Sequence, residues 1–403
     1  MAVGNTARSN DDRPGLVARP PARIGAVDVV RAFAALLMVV NHAGFSLLSA
    51  GETTSGITGQ LVFLGGFAPV LFFFTTGWGV GLQARNPQPA AELSSVLSKV
   101  LLLLSADQFL HWKGGHLWGL DFFGFIGISL LVVSLIARVP RPLAAAAALI
   151  VSVLALRFVI GPSLRTIESD AVLLHWAAGD VGIPGSSYPA SPWLVYPLLG
   201  FMVGWVYRTS PRALFAGMAL LGLAGLGSVV YSEATGAEYF RWGMVNAAYF
   251  GLSLLVLSAF VAISEIWVRT SPRSSRFFQM GGVASFAIVP IHYAVIALMW
   301  AAGVGPVNAP TFWVWAPPLL IVCIYLARVA ERLLARRSFS GAWEGWCAAA
   351  VVAAAAVTLM TGLRPLAATL AASAGQLGVV ALFAWRVNLF RSRAKPASRT
   401  LSA

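Results

Sequence analysis

The chain has 403 residues, of which 58% are hydrophobic and only 11% charged, against about 25% charged in a soluble domain. That excludes a string of soluble domains and a disordered chain, and the length suits about twelve bilayer-spanning helices. A net charge of +13 would suit a nucleic-acid partner, but the placement of the basic residues excludes that reading, as shown below.

Residues 1–25 are polar, with Arg8, Arg13, Arg19 and Arg23 set among prolines, and read as a disordered basic tail. Twelve apolar stretches follow, at about 26–48, 61–82, 95–111, 117–137, 142–162, 191–207, 212–231, 244–264, 280–301, 311–330, 342–361 and 366–386. The first is too long for the apolar core of a signal peptide and has no small-residue cleavage site, so it is expected to be retained. The sixth holds Pro197 with Gly200 and Gly204, a small-residue pair that permits close helix packing. Cys323 and Cys347 fall in apolar stretches and read as small core residues. A second basic tail, 387–403, follows. The expectation is an all-α, polytopic membrane bundle of about twelve helices (10–12), with one transmembrane domain over 26–386.

The basic residues give it an orientation. With the N-terminus inside, twenty-two of the 28 Lys and Arg lie in inside segments and four (Lys113, Arg165, Arg241, Arg364) in outside loops, while Arg31 and Arg157 sit within spans. This asymmetry predicts an N-in, C-in chain with its positive charge facing anionic lipid, and accounts for the net charge without nucleic acid. A long outside loop, about 163–190, is rich in Gly, Ser and Pro.

The first span carries the chemistry. It holds Asp28, Arg31, Asn41 and His42, and ionisable groups inside a spanning helix point to function. Arg31 and His42 are eleven residues apart, which puts them about 20° apart around the axis and roughly 16 Å apart in depth. A guanidinium in the inner half and an imidazole in the outer half therefore share one face. Asp28, one turn before Arg31, is placed to pair with it.

Other polar residues allow two readings each. His292 follows Pro290 and either satisfies a carbonyl freed by the proline or acts in chemistry. Asp107 with Gln108, and Asp121, are interfacial groups or part of a polar cavity. Arg157 can snorkel to the outer surface. Thr75 and Thr76 can line a path or bond their own backbone. His111, His116 and His175 complete a set of five histidines, all central or outer. The sequence has no Walker loop, His-x-x-x-His, Cys-x-x-Cys or Gly-x-Ser-x-Gly.

The first span resembles the opening helix of the transmembrane acyltransferases, namely the acyltransferase 3 family and heparan-alpha-glucosaminide N-acetyltransferase-like proteins. The family pattern is Leu-Asp-x-x-Arg-Gly with a histidine eleven residues after the arginine. Val27-Asp28-Val-Val-Arg31 and His42 match in spacing, with Ala32 in place of the glycine. Phe67-Ala-Pro69 through Thr75-Thr76-Gly77 is similar to a second family motif, and Asp121 through Gly127 to the start of a central family helix. Gly282, Ser285 and His292 match a late motif, with Val289 where the family has tyrosine. The resemblance covers most of residues 26–300.

It implies an acyltransferase moving an acyl group, commonly acetyl from a cytoplasmic acyl-CoA such as acetyl-CoA, to a hydroxyl or amine of a glycan or other envelope acceptor, without a metal. Arg31 would meet a phosphate or the thioester, held by Asp28, and His42 would be the general base or the transient acyl carrier. Asn41, Ser285, His292, Asp107 and Asp121 would contact substrates. The expected setting is the plasma or inner membrane, with the bilayer, acyl-CoA and the acceptor as partners. Two other readings stand beside it. One is a proton-coupled secondary transporter of twelve spans, the other a non-catalytic membrane module in which Arg31 and His42 only pack.

Overall fold

The computed structural model describes residues 25–84, 91–113, 119–160, 187–207, 211–235, 247–335, 341–359 and 365–392. The two tails beyond them, most of the 163–190 loop, His116, His175, Arg165, Arg241 and Arg364 lie outside the described residues, as do the side chains of His111 and Cys347.

Among the described residues each apolar stretch read from the sequence is helical over most of its length. In hydrocarbon a helix satisfies each backbone group within the segment, which leaves few alternatives. In chain order the helices are α1 (Gly25–Leu47), α2 (Gly56–Gly65), α3 (Ala68–Gln83), α4 (Ala91–Lys113), α5 (Phe122–Ile136) and α6 (Pro142–Ala155), the last running on as a π turn, Leu156–Ile160. Next come α7 (Ala190–Trp193), α8 (Val195–Tyr207), α9 (Pro211–Thr235), α10 (Ala247–Thr270), the short α11 (Pro272–Phe278), α12 (Gly282–Ala301), α13 (Ala309–Ala335), α14 (Gly341–Leu359) and α15 (Pro365–Ser392). Among the described residues nine helical stretches are long and apolar enough to cross a bilayer, and Phe122–Ile136 and Ala348–Thr358 are shorter apolar helices. The molecule is an all-α, multi-pass membrane bundle.

Two of the expected spans are broken. The second is α2 followed by α3. At the junction the Gly66 amide turns back to the Phe63 carbonyl at 2.8 Å, which leaves the Val62 carbonyl without its helical donor. The sixth is α7 followed by α8.

Helix directions can be read from the contacts. α1 and α12 run parallel. A side chain on Gly25 would meet Gln279 just before α12. At the other end Trp300 Nε1 donates to the Ser46 carbonyl at 2.8 Å, and Leu48 and Val307 form a parallel bridge. α3 and α8 also run parallel and nearly touch. A Cβ on Gly77 would overlap the Pro197 carbonyl, and one on Gly200 the Phe74 carbonyl; Gly81 and Gly204 are equally tight against Phe201 and Trp78. Each helix thus presents a Gly-x-x-x-Gly face, the arrangement that lets backbones pack without side chains between them. α9 and α10 are antiparallel, with Ser228 Oγ donating to the Ala247 carbonyl at 2.6 Å. The final helix belongs to the core: Gln376 is fully buried and donates to the Ala106 carbonyl of α4 at 3.2 Å.

Candidate active site

The site is built where α1, α12 and the α2–α3 break meet. α1 is buried along most of its length, and His42 leaves it half-buried. Its ring Nδ1 lies 2.7 Å from Nε2 of His292 on α12. His292 is fully buried, and its own Nδ1 lies 2.9 Å from the Ile288 carbonyl. That carbonyl is one helical turn earlier but is not the one Pro290 orphans, which belongs to Phe286. The sequence reading of His292 as a plug for the proline kink is therefore replaced by a contact between two histidines 250 residues apart.

Tyr293 stacks on His42 with centroids 5.0 Å apart and also packs on His292 at 4.3 Å. It lies within electrostatic reach of Asp107 and Asp121. Tyr188 is near both aspartates, Tyr293 and Tyr249, and packs edge-on against Trp193 at 4.9 Å. These tyrosines were not singled out in the sequence. Only the adjacency of Tyr293 to His292 could have signalled one of them; the others arrive from distant segments.

Asn41 is 3% exposed and donates through Nδ2 to the Val62 carbonyl at 2.8 Å, the group left open by the break in α2. Tyr249 of α10 donates to the Gly66 carbonyl at 3.1 Å and stacks on Phe67. Asn41 thus holds the break beside His42. The contact gives the buried amide the backbone partner it needs.

Asp107 likewise has backbone partners. It is fully buried and accepts the amides of Asp121 and, at 3.0 Å, Phe123, with the Gly124 amide also directed at it. A carboxylate on three amides at a helix N-terminus is a cap. Gly124 is required here, since a Cβ would stand 2.5 Å from the Asp107 carboxylate. Gln108 secures the same turn by donating to the Gly119 carbonyl at 3.0 Å. Asp121 caps α5 directly through the Phe122 amide at 2.9 Å, but it is only half-buried and keeps a side toward the tyrosines.

At the other end of α1, Arg31 pairs with Asp28 at 3.8 Å, as its spacing led one to expect; the arginine side chain is 25% exposed and the aspartate 5%. A Cβ on Gly79 of α3 would meet the Arg31 guanidinium at 3.7 Å, which places α3 beside it. Ser285 is buried in the first turn of α12 and donates to the Gly282 carbonyl at 2.9 Å. It shares a helix face with His292 but sits two turns away. Thr75 and Thr76 both bond the Phe72 carbonyl at 2.9 Å, which leaves the backbone-bonding reading. Arg157 is buried, 4% exposed, in the π turn, so it does not reach out to the surface. Among the described residues no group of three His, Cys, Asp or Glu side chains could hold a metal ion.

The arrangement offers an imidazole with one nitrogen engaged and the other without a hydrogen-bond partner among the described residues, aromatic walls, and a partly exposed guanidinium farther along the same helix. That suits proton transfer beside an anionic or acyl-bearing substrate. No curated protein and no solved structure matches the chain. A family model, described as the catalytic domain of heparan-alpha-glucosaminide N-acetyltransferase, matches residues 23–228. The match takes in Asp28, Arg31, Asn41, His42, Asp107 and Asp121 and ends before α12, short of the reach given to the resemblance above. Since it spans half of the chain and contains the polar first span, the protein belongs to the heparan-alpha-glucosaminide N-acetyltransferase family of membrane enzymes.

Proposed function

We propose that the enzyme transfers an acyl group, acetyl in the simplest case, from a cytoplasmic acyl-CoA to a hydroxyl or amine of a glycan or related acceptor presented on the outer side of the plasma or inner membrane. The observation that carries this reading is the His42–His292 contact at 2.7 Å, set in line with Arg31 on one helix of a chain whose family is named for acetyl transfer.

In this reading Arg31, steadied by Asp28, meets a phosphate of the donor, which a planar guanidinium suits, and the thioester-bearing arm runs on toward His42. His42 meets the acceptor. As general base it takes the acceptor proton while the acceptor oxygen or nitrogen bonds to the thioester carbonyl carbon. The carbon–sulfur bond breaks, and the thiolate leaves and is protonated. As acyl carrier it would split this exchange into two steps. Asp121, Tyr188 and Tyr293 line the acceptor side, and Ser285 stands two turns before His292 on the same face of α12. The family match is to a catalytic domain, which favours this over the transporter reading.

The test is incubation of the purified enzyme with radiolabelled acetyl-CoA and envelope extract. Wild type should yield a covalently labelled envelope product. Folded His42→Ala should yield none, since losing a catalytic base costs about 10²–10⁴ in rate. Uptake into vesicles without covalent labelling would return the transporter.

A further inference from the structure

We infer that His292 is a positioning residue that accepts a hydrogen bond from Nδ1–H of His42 and thereby makes Nε2 of His42 the reacting nitrogen. This rests on the reading of His42 as the reacting group, but it concerns which of its atoms reacts and what decides that.

Two hydrogen bonds set the tautomers of the pair. The Ile288 carbonyl can only accept, so the ring nitrogen 2.9 Å from it, Nδ1 of His292, carries a hydrogen. A neutral imidazole has a single N–H, so Nε2 of His292 presents a lone pair. That lone pair faces Nδ1 of His42 at 2.7 Å, so Nδ1 of His42 is the donor. His42 is then bare at Nε2, which has no hydrogen-bond partner among the described residues, on a ring that remains half-buried. A doubly protonated His292 would reverse the chain. It would also place a cation where solvent exposure is nil and where the Ile288 and Val289 carbonyls and a neutral imidazole are its hydrogen-bond partners, an expensive arrangement.

Stacking fixes the geometry. Tyr293 covers His42 with an interplanar angle of 29° and packs on His292 as well, which holds both ring planes, while the two hydrogen bonds set which nitrogen faces which partner. Free histidine prefers the hydrogen on Nε2, the tautomer that would hide the lone pair from an acceptor. His292 reverses this preference, in the way the partner of any catalytic histidine selects its tautomer. When the acceptor proton reaches Nε2, the Nδ1–H bond to His292 persists and stabilises the imidazolium. His292 need not take up or release a proton.

The test begins with nitrogen NMR of the full chain, labelled with [15N]histidine, in lipid nanodiscs, with His42 assigned by its loss in His42→Gln. Wild-type His42 should be protonated at Nδ1 and bare at Nε2. In His292→Phe, which keeps a ring but loses the acceptor, His42 should move to the Nε2–H tautomer, and turnover should fall by about 10²–10⁴, the scale of a misdirected or missing base. In His292→Gln the amide oxygen takes the place of Nε2 and accepts the same N–H. The wild-type tautomer should persist, and turnover should stay within about tenfold of wild type, the low end of the cost of altering an orienting partner. An Nε2–H signal for His42 in wild type overturns the inference, and so does a Gln variant that loses as much turnover as Phe, which would make His292 a proton carrier. If His292→Phe does not fold, the wild-type spectrum and the Gln variant decide. An active His42→Gln enzyme would instead sink the catalytic reading, whatever the spectra show.

Discussion

Arg31 and His42 stand on one face of α1, roughly 16 Å apart along its axis, and their losses should differ in kind. Arg31→Lys keeps the charge but loses the planar fork that grips phosphate with two bonds. Weaker donor affinity is expected, with turnover partly recovered at high acetyl-CoA. His42→Gln can hydrogen-bond but cannot take a proton at neutral pH, so saturating donor should not rescue it. Kinetics with donor varied at fixed acceptor separate the two; the opposite pattern of rescue would reverse the direction of acyl flow. Asp107 belongs to a different class. Asp107→Ala leaves buried amides at the start of α5 without an acceptor, and should destabilise the protein by about 1–3 kcal/mol. Thermal unfolding in detergent should show this, while the donor and acceptor KM of the folded fraction stay near wild type. The contrast marks what could be read beforehand. Asp28, Arg31 and His42 declare themselves because their relation is local, a spacing on one helix. Asn41 and Asp107 look equally functional in sequence. Their partners are backbone groups, Val62 and the turn at Asp121–Gly124, which no side-chain pattern reveals. The meeting of His42 with His292 spans 250 residues and has no local signature.

Among the elements, the pairing of α3 with α8 is the one most dependent on single residues. Gly200 and Gly204 stand out in sequence as a small-residue pair. Their counterparts Gly77 and Gly81 are hidden within an aromatic run, and only the structure shows the two faces interlocked. Because the Pro197 and Phe74 carbonyls occupy the space a Cβ would need, a side chain there must push backbones apart. Gly77→Val and Gly200→Val should each destabilise the protein by about 1–3 kcal/mol or more, the usual range for overpacking. Gly217, with nothing near its absent Cβ, is the control, and Gly217→Ala should be close to neutral. Melting curves in one detergent compare the three. The breaks in the second and sixth spans were not legible. A hydropathy pattern reports that a segment is apolar, and it cannot show that the Gly66 amide turns back one residue early while Asn41 and Tyr249 take up the carbonyls around it.

For the molecule as a whole, the direction of each helix constrains the path of the chain through the bilayer. α1 and α12 are parallel, so an even number of crossings separates their starts. The twelve-stretch count places seven stretches between them and meets this requirement. If just one of the short members, α5 or α8, failed to cross, α12 would be reversed against α1. The parallel α3–α8 pair and the antiparallel α9–α10 pair satisfy the same parity. Ser274, exposed on α11 just ahead of α12, must therefore share a membrane side with the start of α1, where Gly25 meets Gln279. Ser187 bonds the Leu120 carbonyl at 2.9 Å beside the α5 cap, at the end of the bundle where the histidines lie, and must be on the opposite side. With Cys323 and Cys347 replaced, cysteines at 274 and 187 should differ in reaction with a membrane-impermeant maleimide. In intact cells position 187 should label, and position 274 only after permeabilisation, because the basic residues around 269–276 favour the inside. Exchanged labelling would turn the chain over while leaving the helix directions intact, and Arg31 would then face outward, away from any cytoplasmic donor. Equal labelling of both positions would break the parity itself, and with it the count of twelve crossings.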